Sequence, residues 1–220
     1  MKAEDYLTGQ IILLDKPLDW TSFQAVNKLK YKLKREFNLP KKFKIGHAGT
    51  LDPRATGLLI VCTGKFTKKI PEIQDAPKEY WAEIKIGAQT ESYDTEKPEI
   101  LHQDFSHITE NFIKETLEKF VGEIDQKPPI FSAIKKDGIR LYEHARAGEE
   151  VEIAFRKTTI YEFEITRIAL PEIDFRVKCS KGTYIRSLAF DFGKAMQSGS
   201  HLTALRRTKI GDYSVENAFS

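Results

Sequence analysis

The chain has 220 residues, enough for one domain or for a domain with a small appendage, and its hydrophobic content of 40% can form a core. No stretch approaches the roughly 20 apolar residues that span a bilayer, and the start, Met1 to Asp5, lacks the apolar core of a secretory signal. Cys62 and Cys179 lie in separate apolar runs and form no CxxC motif, so buried thiols in a reducing compartment are the simplest interpretation. These features predict a soluble cytoplasmic protein.

Charge is distributed unevenly, although the net charge is only +3. Residues 28–69 contain twelve Lys/Arg and two acidic residues, Glu36 and Asp52, so this segment carries +10 and the rest of the chain −7. A cationic segment favours polyanion binding, because each phosphate that it neutralises releases condensed counterions. A lysine-rich helix face exposed to solvent would give the same pattern. Charge therefore suggests a nucleic-acid partner without establishing one.

The predicted elements of the first half begin with a buried strand at 10–15, which Lys16-Pro17 ends. Thr21 or Ser22 can cap a helix that continues to about residue 37. Its apolar stripe comprises Phe23, Val26, Leu29, Leu33 and Phe37. Residues 41–57 show neither strand nor helix periodicity, which predicts a long loop of the kind that often carries function. Three further elements are predicted: a strand at 58–62, a basic turn or helix to residue 70, and a strand at 80–86.

In the second half, helical and strand patterns interleave without a regular βαβ rhythm. A capped helix begins at Thr109 and ends at Gly122. The remaining predicted elements are an extended piece at 130–134, one or two helical turns at 140–147, strands at 159–168 and 173–179, a helix at 183–196 and a strand at 205–213. This order favours a mixed α/β (α+β) fold with a largely antiparallel sheet.

The most distinctive segment is residues 46–57, with the sequence GHAGTLDPRATG. Pro53 restricts Asp52 to extended backbone conformations and so fixes the direction of its carboxylate. A fixed, partly desolvated carboxylate can act as a general base or a nucleophile, whereas an ordinary Asp-Pro turn is the structural alternative. His47 could act as a base, stack on a nucleobase or simply pack. No second His or Cys stands at ligand spacing, so a metal site is not expected.

Five segments occur in a characteristic order along residues 10–211. They are LDKP with TSF at 14–23, GHAGTLDPRATG at 46–57, PPIFSAIK with GIRLYE at 128–143, CSKGTYIRSL at 179–188 and HLTAL with RRT at 201–208. KEY at 78–80 begins a strand between the second and third segments. Together they closely resemble the bacterial tRNA pseudouridine-55 synthase family, of the TruB type. The resemblance implies a pseudouridine-synthase fold, with a bent, largely antiparallel sheet, flanking helices and a central catalytic cleft.

The resemblance also implies an activity and its partners. The chain would isomerise one uridine in the T arm of tRNA, at position 55, to pseudouridine. It would break the C1′–N1 bond of a flipped-out nucleotide and form a C1′–C5 bond, which requires no cofactor. The expected partner is the T stem-loop of tRNA, with no membrane, and the absence of an apolar heptad favours a monomer.

Residue roles follow from the same resemblance. Asp52 aligns with the catalytic aspartate, Tyr80 with a tyrosine that stacks on the target base, and Arg186 with an arginine that pairs with the aspartate. Four further residues align with substrate-binding positions: Tyr184 and Leu205 in the uridine pocket, His47 at the RNA loop, and Lys16 near the same cleft.

Two departures and two alternatives accompany this interpretation. The chain ends at Ser220, soon after the last segment, which predicts a single catalytic domain over 1–220 and no C-terminal RNA-binding domain. The acidic stretch 91–99 lacks a glycine common in the family, so its loop is expected to differ. The alternatives are a synthase that acts on another RNA and a non-catalytic protein that binds or folds tRNA. A glycosidase would need a second carboxylate beside Asp52, and the sequence offers no candidate.

Overall fold

The computed structural model describes residues 2–219, so Met1 and Ser220, the two ends of the predicted catalytic domain, lie outside the described residues. The helices in this part of the chain are α1 (Ala3–Thr8), α2 (Ser22–Glu36), α3 (Ile70–Asp75), α4 (Glu110–Glu118), α5 (Leu141–Ala147) and α6 (Ile185–Ala195). The strands are β1 (Ile11–Lys16), β2 (Ile45–His47), β3 (Ala55–Thr63), β4 (Lys78–Ile86), β5 (Ala88–Thr90), β6 (Glu99–His102), β7 (Gly122–Gln126), β8 (Lys135–Lys136), β9 (Ile139–Arg140), β10 (Arg156–Ala169), β11 (Glu172–Cys179), β12 (Ser200–Ile210) and β13 (Tyr213–Ser214). Two 3-10 helices span Gly64–Lys69 and Val215–Asn217.

The chain folds into two compact units. The first contains the residues up to Trp81 and those from Leu205 onward, and the second contains Ala82–Ala204. Strands β4 and β12 contribute residues to both units, because the divisions fall inside them.

In the first unit, β3 is the central strand and is buried on both faces. It pairs antiparallel with β1 and β2 and parallel with β12. Leu59 and Val61 pack against Ala25 and Val26 of α2. The alternate residues of β3 pack in another cluster, which contains Leu58, Ile60, Cys62, Ile73 and Ile210. Burial on both sides explains why this strand reads as a continuous apolar run rather than an alternating one.

In the second unit, the strand order is β4-β11-β10-β7, in which β10 pairs antiparallel with both β11 and β7. Helix α6 contributes Phe192, which is fully buried. Its ring lies 5.7 Å from Phe120 and 5.5 Å from Phe163, measured between ring centroids. Aromatic packing of this kind adds to area burial and fixes the helix against the strands. A mixed α/β fold with a largely antiparallel sheet is therefore confirmed.

Several predicted elements are corrected by the structure. The predicted loop at 41–57 contains β2, because residues 45–47 pair with the far end of β3, and β3 itself begins at Ala55. Residues 130–133, predicted as part of an extended piece, form bends. The strand predicted at 205–213 begins at Ser200 and ends at Ile210. Phe23 does not belong to the buried stripe of α2, since 70% of it is exposed. Helix α1 and strands β5, β6 and β7 were not predicted.

Both cysteines are buried, as expected from their apolar surroundings, and neither forms a disulfide. Within residues 2–219, no helix has the length and apolar character needed to cross a membrane.

Candidate active site

The Asp52 loop (residues 48–54) connects β2 to β3, and Asp52 itself is half-buried. The Asp52 carbonyl accepts a hydrogen bond from the backbone N–H of Ala55 at 3.1 Å, so this segment makes a turn into β3. The Asp-Pro turn, predicted from the sequence as the structural alternative, is therefore present. The turn uses only the backbone of Asp52, so its carboxylate can still act as a base or a nucleophile.

Helix α2 holds the loop from one side. Ser22 at its start is 2% exposed. The Leu51 N–H donates to the Ser22 hydroxyl at 2.8 Å, and that hydroxyl donates to the Leu51 carbonyl at 3.1 Å. This reciprocal pair fixes the backbone of the residue immediately before Asp52. Thr21 caps the helix by accepting from the Gln24 N–H, as predicted.

Lys16 holds the loop from a second side. Its side chain is fully buried, and its ammonium donates to the carbonyls of Pro17 at 2.9 Å, Trp20 at 2.6 Å and Pro53 at 3.4 Å. Burial lowers the pKa of Lys16 to about 8, an effect that the Asp52 carboxylate partly opposes. The structure thus places this predicted substrate-binding residue beneath the loop. There it joins the Pro53 carbonyl of the loop to two carbonyls of the segment between β1 and α2.

Arg207 of β12 holds the loop from a third side. It is 1% exposed and donates to the carbonyls of Leu58 at 2.8 Å, Gly49 at 3.0 Å and Thr50 at 3.5 Å. Gly57 makes the approach of this strand possible. Its φ is +101°, and a Cβ there would lie 2.3 Å from the Arg207 carbonyl oxygen.

Arg207→Met is expected to lower the free energy of unfolding by at least about 3 kcal/mol, because several buried carbonyls lose their charged donor, at about 1–3 kcal/mol for each unsatisfied group. Urea unfolding would measure the change. Arg35→Met, at an exposed position near the end of α2, is the control and should shift stability by no more than about 0.5 kcal/mol. Equal stability of the two variants would contradict the anchoring role of Arg207.

Three other predicted residues lie in the first unit. Leu205 is half-buried and pairs with Ala55 across β12 and β3, which places it beside the residue that ends the turn. Tyr80 of β4 is 9% exposed. His47 ends β2, where burial lowers the pKa of its imidazole. Its Nδ1 is buried and makes no hydrogen bond to any described residue. The structure therefore brings Leu205 and Lys16 directly to the Asp52 loop.

Arg186 lies in the second unit, in the first turn of α6, and is 4% exposed. Its guanidinium donates to the carbonyls of Ser92 at 3.3 Å and Phe131 at 3.0 Å. Its Nε lies 3.7 Å from a carboxylate oxygen of Asp94, which is 5% exposed. Two buried opposite charges stabilise each other in a medium of low dielectric constant. Asp94 comes from the acidic stretch 91–99, where the sequence predicted an unusual loop.

Tyr184 precedes α6 and is fixed by Gln126 at the end of β7. The Tyr184 N–H donates to Gln126 Oε1 at 2.8 Å, and Gln126 Nε2 donates to the Tyr184 carbonyl at 3.0 Å. Gln126 is 2% exposed, so this amide is committed to holding one backbone position. The Tyr184 ring itself is half-buried.

Helix α6 also carries a titratable group whose effect on stability can be measured. Burial raises the pKa of the Asp191 carboxyl to about 6, with Lys194 opposing. The unfolded chain loses this proton near pH 3.8 and the folded chain near pH 6, so stability should fall as pH rises through that window. Asp191→Asn is therefore expected to stabilise the protein at about pH 7.5 and to change it little at about pH 4. Urea unfolding at both pH values tests this, and an equal effect at the two would contradict it.

The twelve cations of residues 28–69 lie in the first unit, and most are exposed. Ten are classed as exposed, and only Lys30 and Lys34 are partly covered. Few of them are neutralised by nearby carboxylates; Arg54, which pairs with Asp19 at 2.8 Å, is one that is. The segment is thus a solvated cationic surface that reaches the Asp52 loop through Arg54. In residues 2–219, no group of three His, Cys, Asp or Glu side chains could hold a metal ion.

Three residues that order this site were not singled out from the sequence. Ser22 and Arg207 belong to segments that carried the family resemblance, whereas Asp94 lies in the acidic stretch 91–99, which departs from it. Their function depends on contacts with residues distant in sequence, a relation that local periodicity does not reveal.

Comparison with known proteins gives a consistent result. Residues 34–185 match the N-terminal domain of the TruB family of pseudouridylate synthases. A tRNA pseudouridine synthase B of Flavobacterium johnsoniae is 72% identical over 220 residues, or 99% of this chain and 95% of that protein. Another, of Phocaeicola vulgatus, is 50% identical over 216 residues, or 98% of this chain and 92% of that protein. A chain in a crystal structure of a Cbf5-Nop10-Gar1 complex has a TM-score of 0.72 and 30% identity, covering 97% of this chain and 52% of that one, so this chain spans about half of its length.

Proposed function

The chain belongs to the TruB family of pseudouridylate synthases, and we propose that it isomerises the uridine at position 55, in the T arm of tRNA. It is a tRNA pseudouridine synthase, an isomerase, and its pseudouridine-synthase fold agrees with the solved structure of similar fold. The reaction breaks the C1′–N1 bond, turns the detached uracil in place and forms the C1′–C5 bond. It involves no redox change and no group donor, so we expect no cofactor.

The observation that carries the proposal is the immobilisation of the Asp52 loop. Ser22, Lys16 and Arg207 each bind its backbone from a different element. A carboxylate on a rigid backbone can be held beside the ribose of a bound nucleotide, which replaces a chance encounter with a fixed geometry. Lys16 adds a nearby positive charge that attracts the carboxylate.

Two chemical routes are open to Asp52. It can attack C1′ and form a covalent intermediate, or it can remove the proton at C2′. Either route uses one ionised carboxylate, and either requires that the free uracil stay in the site until it has turned. The target nucleotide must first leave its stack, at a cost of a few kcal/mol.

The other residues supply binding and orientation. We assign Tyr80 to stacking on the flipped uracil, which can offset part of the unstacking cost, about 1–3 kcal/mol per base. Tyr184 and Leu205 line the uridine pocket, and His47 contacts the RNA loop. Arg186 pairs with the Asp52 carboxylate and holds its orientation. Lys16 acts on the substrate through the loop that it orders.

The cationic surface supports an RNA partner, and its contribution can be measured. Affinity for tRNA is expected to fall at least tenfold between about 50 and 200 mM salt, because several phosphates release counterions on binding. The variant Lys41→Gln/Lys42→Gln should bind less tightly and reduce the salt slope by about 2. Lys114→Gln/Lys119→Gln, also exposed but in α4 and just after it, is the matched control. Salt-independent binding of the parent chain would contradict phosphate contacts by this segment.

The decisive experiment is nucleotide-resolved mapping of pseudouridine in unmodified tRNA after incubation with the purified chain and no added cofactor. One new pseudouridine at position 55 is the expected result. Modification elsewhere would favour a synthase that acts on another RNA site. Tight binding without modification would favour a non-catalytic protein that binds or folds tRNA.

We further propose that the protein acts as a cytoplasmic monomer in which residues 1–220 form one catalytic domain. The family match over residues 34–185 includes parts of both compact units, which supports a single functional domain. Cys62 and Cys179 are buried and form no disulfide, which is consistent with a reducing compartment. Sedimentation of the purified chain, alone and with tRNA, would test the monomer.

A further inference from the structure

An open pocket of about 300 Å³ lies beside the Asp52 loop, within the first unit. The residues that line it are Asp19, Trp20, Phe23, Gln24 and Asn27. Pockets of about 300–1,000 Å³ commonly hold small ligands. No role assigned above uses this pocket.

Two aromatic side chains form its walls. Phe23 is 70% exposed, although it stands among the apolar residues of α2. Trp20 is half-buried, and the Lys28 ammonium lies 4.9 Å from the centroid of its ring. A single exposed apolar residue needs no explanation. An exposed phenyl ring that shares a pocket with an indole and a cation has the composition of a nucleobase-stacking site.

The pocket also offers polar groups for a base edge. The Asn27 amide has no hydrogen-bond partner among the described residues, so both its donor and its acceptor can bind a ligand. Gln24 is already held, because its Oε1 accepts from the Thr21 N–H at 2.8 Å and from the Thr21 hydroxyl at 2.9 Å. Amide side chains can make paired hydrogen bonds to the edges of bases.

The charge around the pocket selects an anionic partner. Helix α2 carries Lys28, Lys30, Lys32, Lys34 and Arg35, with Glu36 as its one acidic residue. Tyr31, 70% exposed, lies two helical turns after Phe23 and extends the same row of side chains. A second copy of this helix would be repelled by the cations, whereas an RNA backbone would be attracted.

The pocket is also tied to the catalytic region. The Asp19 N–H donates to the Pro53 carbonyl at 2.9 Å, and the Asp19 carboxylate accepts from Arg54 at 2.8 Å. An RNA bound at the Asp52 loop therefore passes close to this pocket. The ion pair also neutralises the single acidic group in the lining.

We propose that this pocket binds a second, unpaired nucleobase of the RNA substrate, stacked against Phe23 and Trp20, while the cations of α2 bind the adjoining phosphates. This inference rests on the proposed function for the identity of the RNA. It goes beyond that function by adding a binding site separate from the one for the target uridine. The site would contribute affinity from a surface on which no catalytic residue lies.

The test measures the affinity of Phe23→Ala for unmodified tRNA in the Asp52→Asn background, where no turnover occurs. Loss of one stack, worth about 1–3 kcal/mol, corresponds to a Kd that rises about 5- to 150-fold. The salt slope should stay unchanged, because no phosphate contact is lost. Phe23→Trp keeps an aromatic ring and should bind within about twofold of its parent. Tyr161→Ala removes an exposed aromatic residue from β10 and is the matched control.

The outcomes separate this inference from the proposed function. If Phe23→Ala bound tRNA with a Kd within about twofold of its parent, the proposed nucleobase site would be overturned, even if mapping showed pseudouridine at position 55. The stacking loss with rescue by Phe23→Trp would support the pocket even if no uridine were modified. Thermal unfolding of each variant guards against a folding defect. Self-association of the chain that Phe23→Ala abolishes would also overturn the inference, because a second copy would then occupy the surface.

Discussion

Asp52→Asn is expected to abolish pseudouridine formation while leaving tRNA affinity within a few-fold of the parent chain. The amide keeps the size of the carboxylate but loses its negative charge and its basicity. Loss of a general base alone costs about 10²–10⁴ in rate, and loss of a nucleophile removes the covalent route. Single-turnover mapping of pseudouridine, with a filter-binding measurement of affinity, separates chemistry from binding.

Asp19→Asn supplies a matched control for that experiment. Asp19 is also an acidic residue of this region and binds the Pro53 carbonyl through its backbone, but its carboxylate pairs with Arg54 at the surface. Loss of this ion pair should lower the free energy of unfolding by no more than about 1 kcal/mol, as for other exposed ion pairs. Wild-type turnover by a clean Asp52→Asn preparation would rule out the assigned role, whereas a shared loss by both variants would indicate a disturbed loop.

Arg186→Met is expected to produce the second large effect, a loss of both activity and stability. Its removal leaves the buried Asp94 carboxylate without this cation, and breaking a buried pair costs about 3–5 kcal/mol. Arg186→Lys should remain partly impaired, since an ammonium cannot reproduce the forked donors that reach Ser92 and Phe131. Urea unfolding and single-turnover rates, measured on the same preparations, report the two effects.

The double variant Arg186→Met/Asp94→Asn distinguishes a structural from a catalytic role. Neutralising Asp94 removes the uncompensated charge, so stability should recover by a large part of the loss. Activity should stay low, because the guanidinium that we propose orients the Asp52 carboxylate is still missing. Full recovery of turnover in the double variant would show that Arg186 serves stability alone.

The fold was largely predictable because most elements carry a local signal. The apolar run at 58–62 marks a strand buried on both faces, and Thr21 caps α2 as its sequence suggests. Strand β2 was missed because three residues are too few to show a period, and their structure depends on pairing with β3. Phe23 was assigned to the core because helical spacing alone cannot tell a buried ring from an exposed one on the border of the stripe.

The candidate site residues could be named from the sequence, but the contacts that hold them in place could not. Asp52, Tyr80 and Arg186 were selected through a resemblance, and their catalytic roles stay predictions. The anchoring of the loop by Arg207 could not have been anticipated, because 149 residues separate Arg207 from Leu58. Lys16 was expected at the substrate, but its three carbonyl partners are contacts that only a folded backbone creates.

The parallel pairing of β12 with β3 has a consequence for the order of events during synthesis. Gly57 and the loop before it leave the ribosome roughly 150 residues ahead of the arginine that fixes them. Closing so long a segment is entropically costly, and such nonlocal pairing forms late. Until then the first residues of β3, Ala55 to Gly57, lack their β12 partner, which exposes strand backbone to other nascent chains. Catalytic competence should therefore appear abruptly, when the late strand docks, rather than accumulate as the first unit is made.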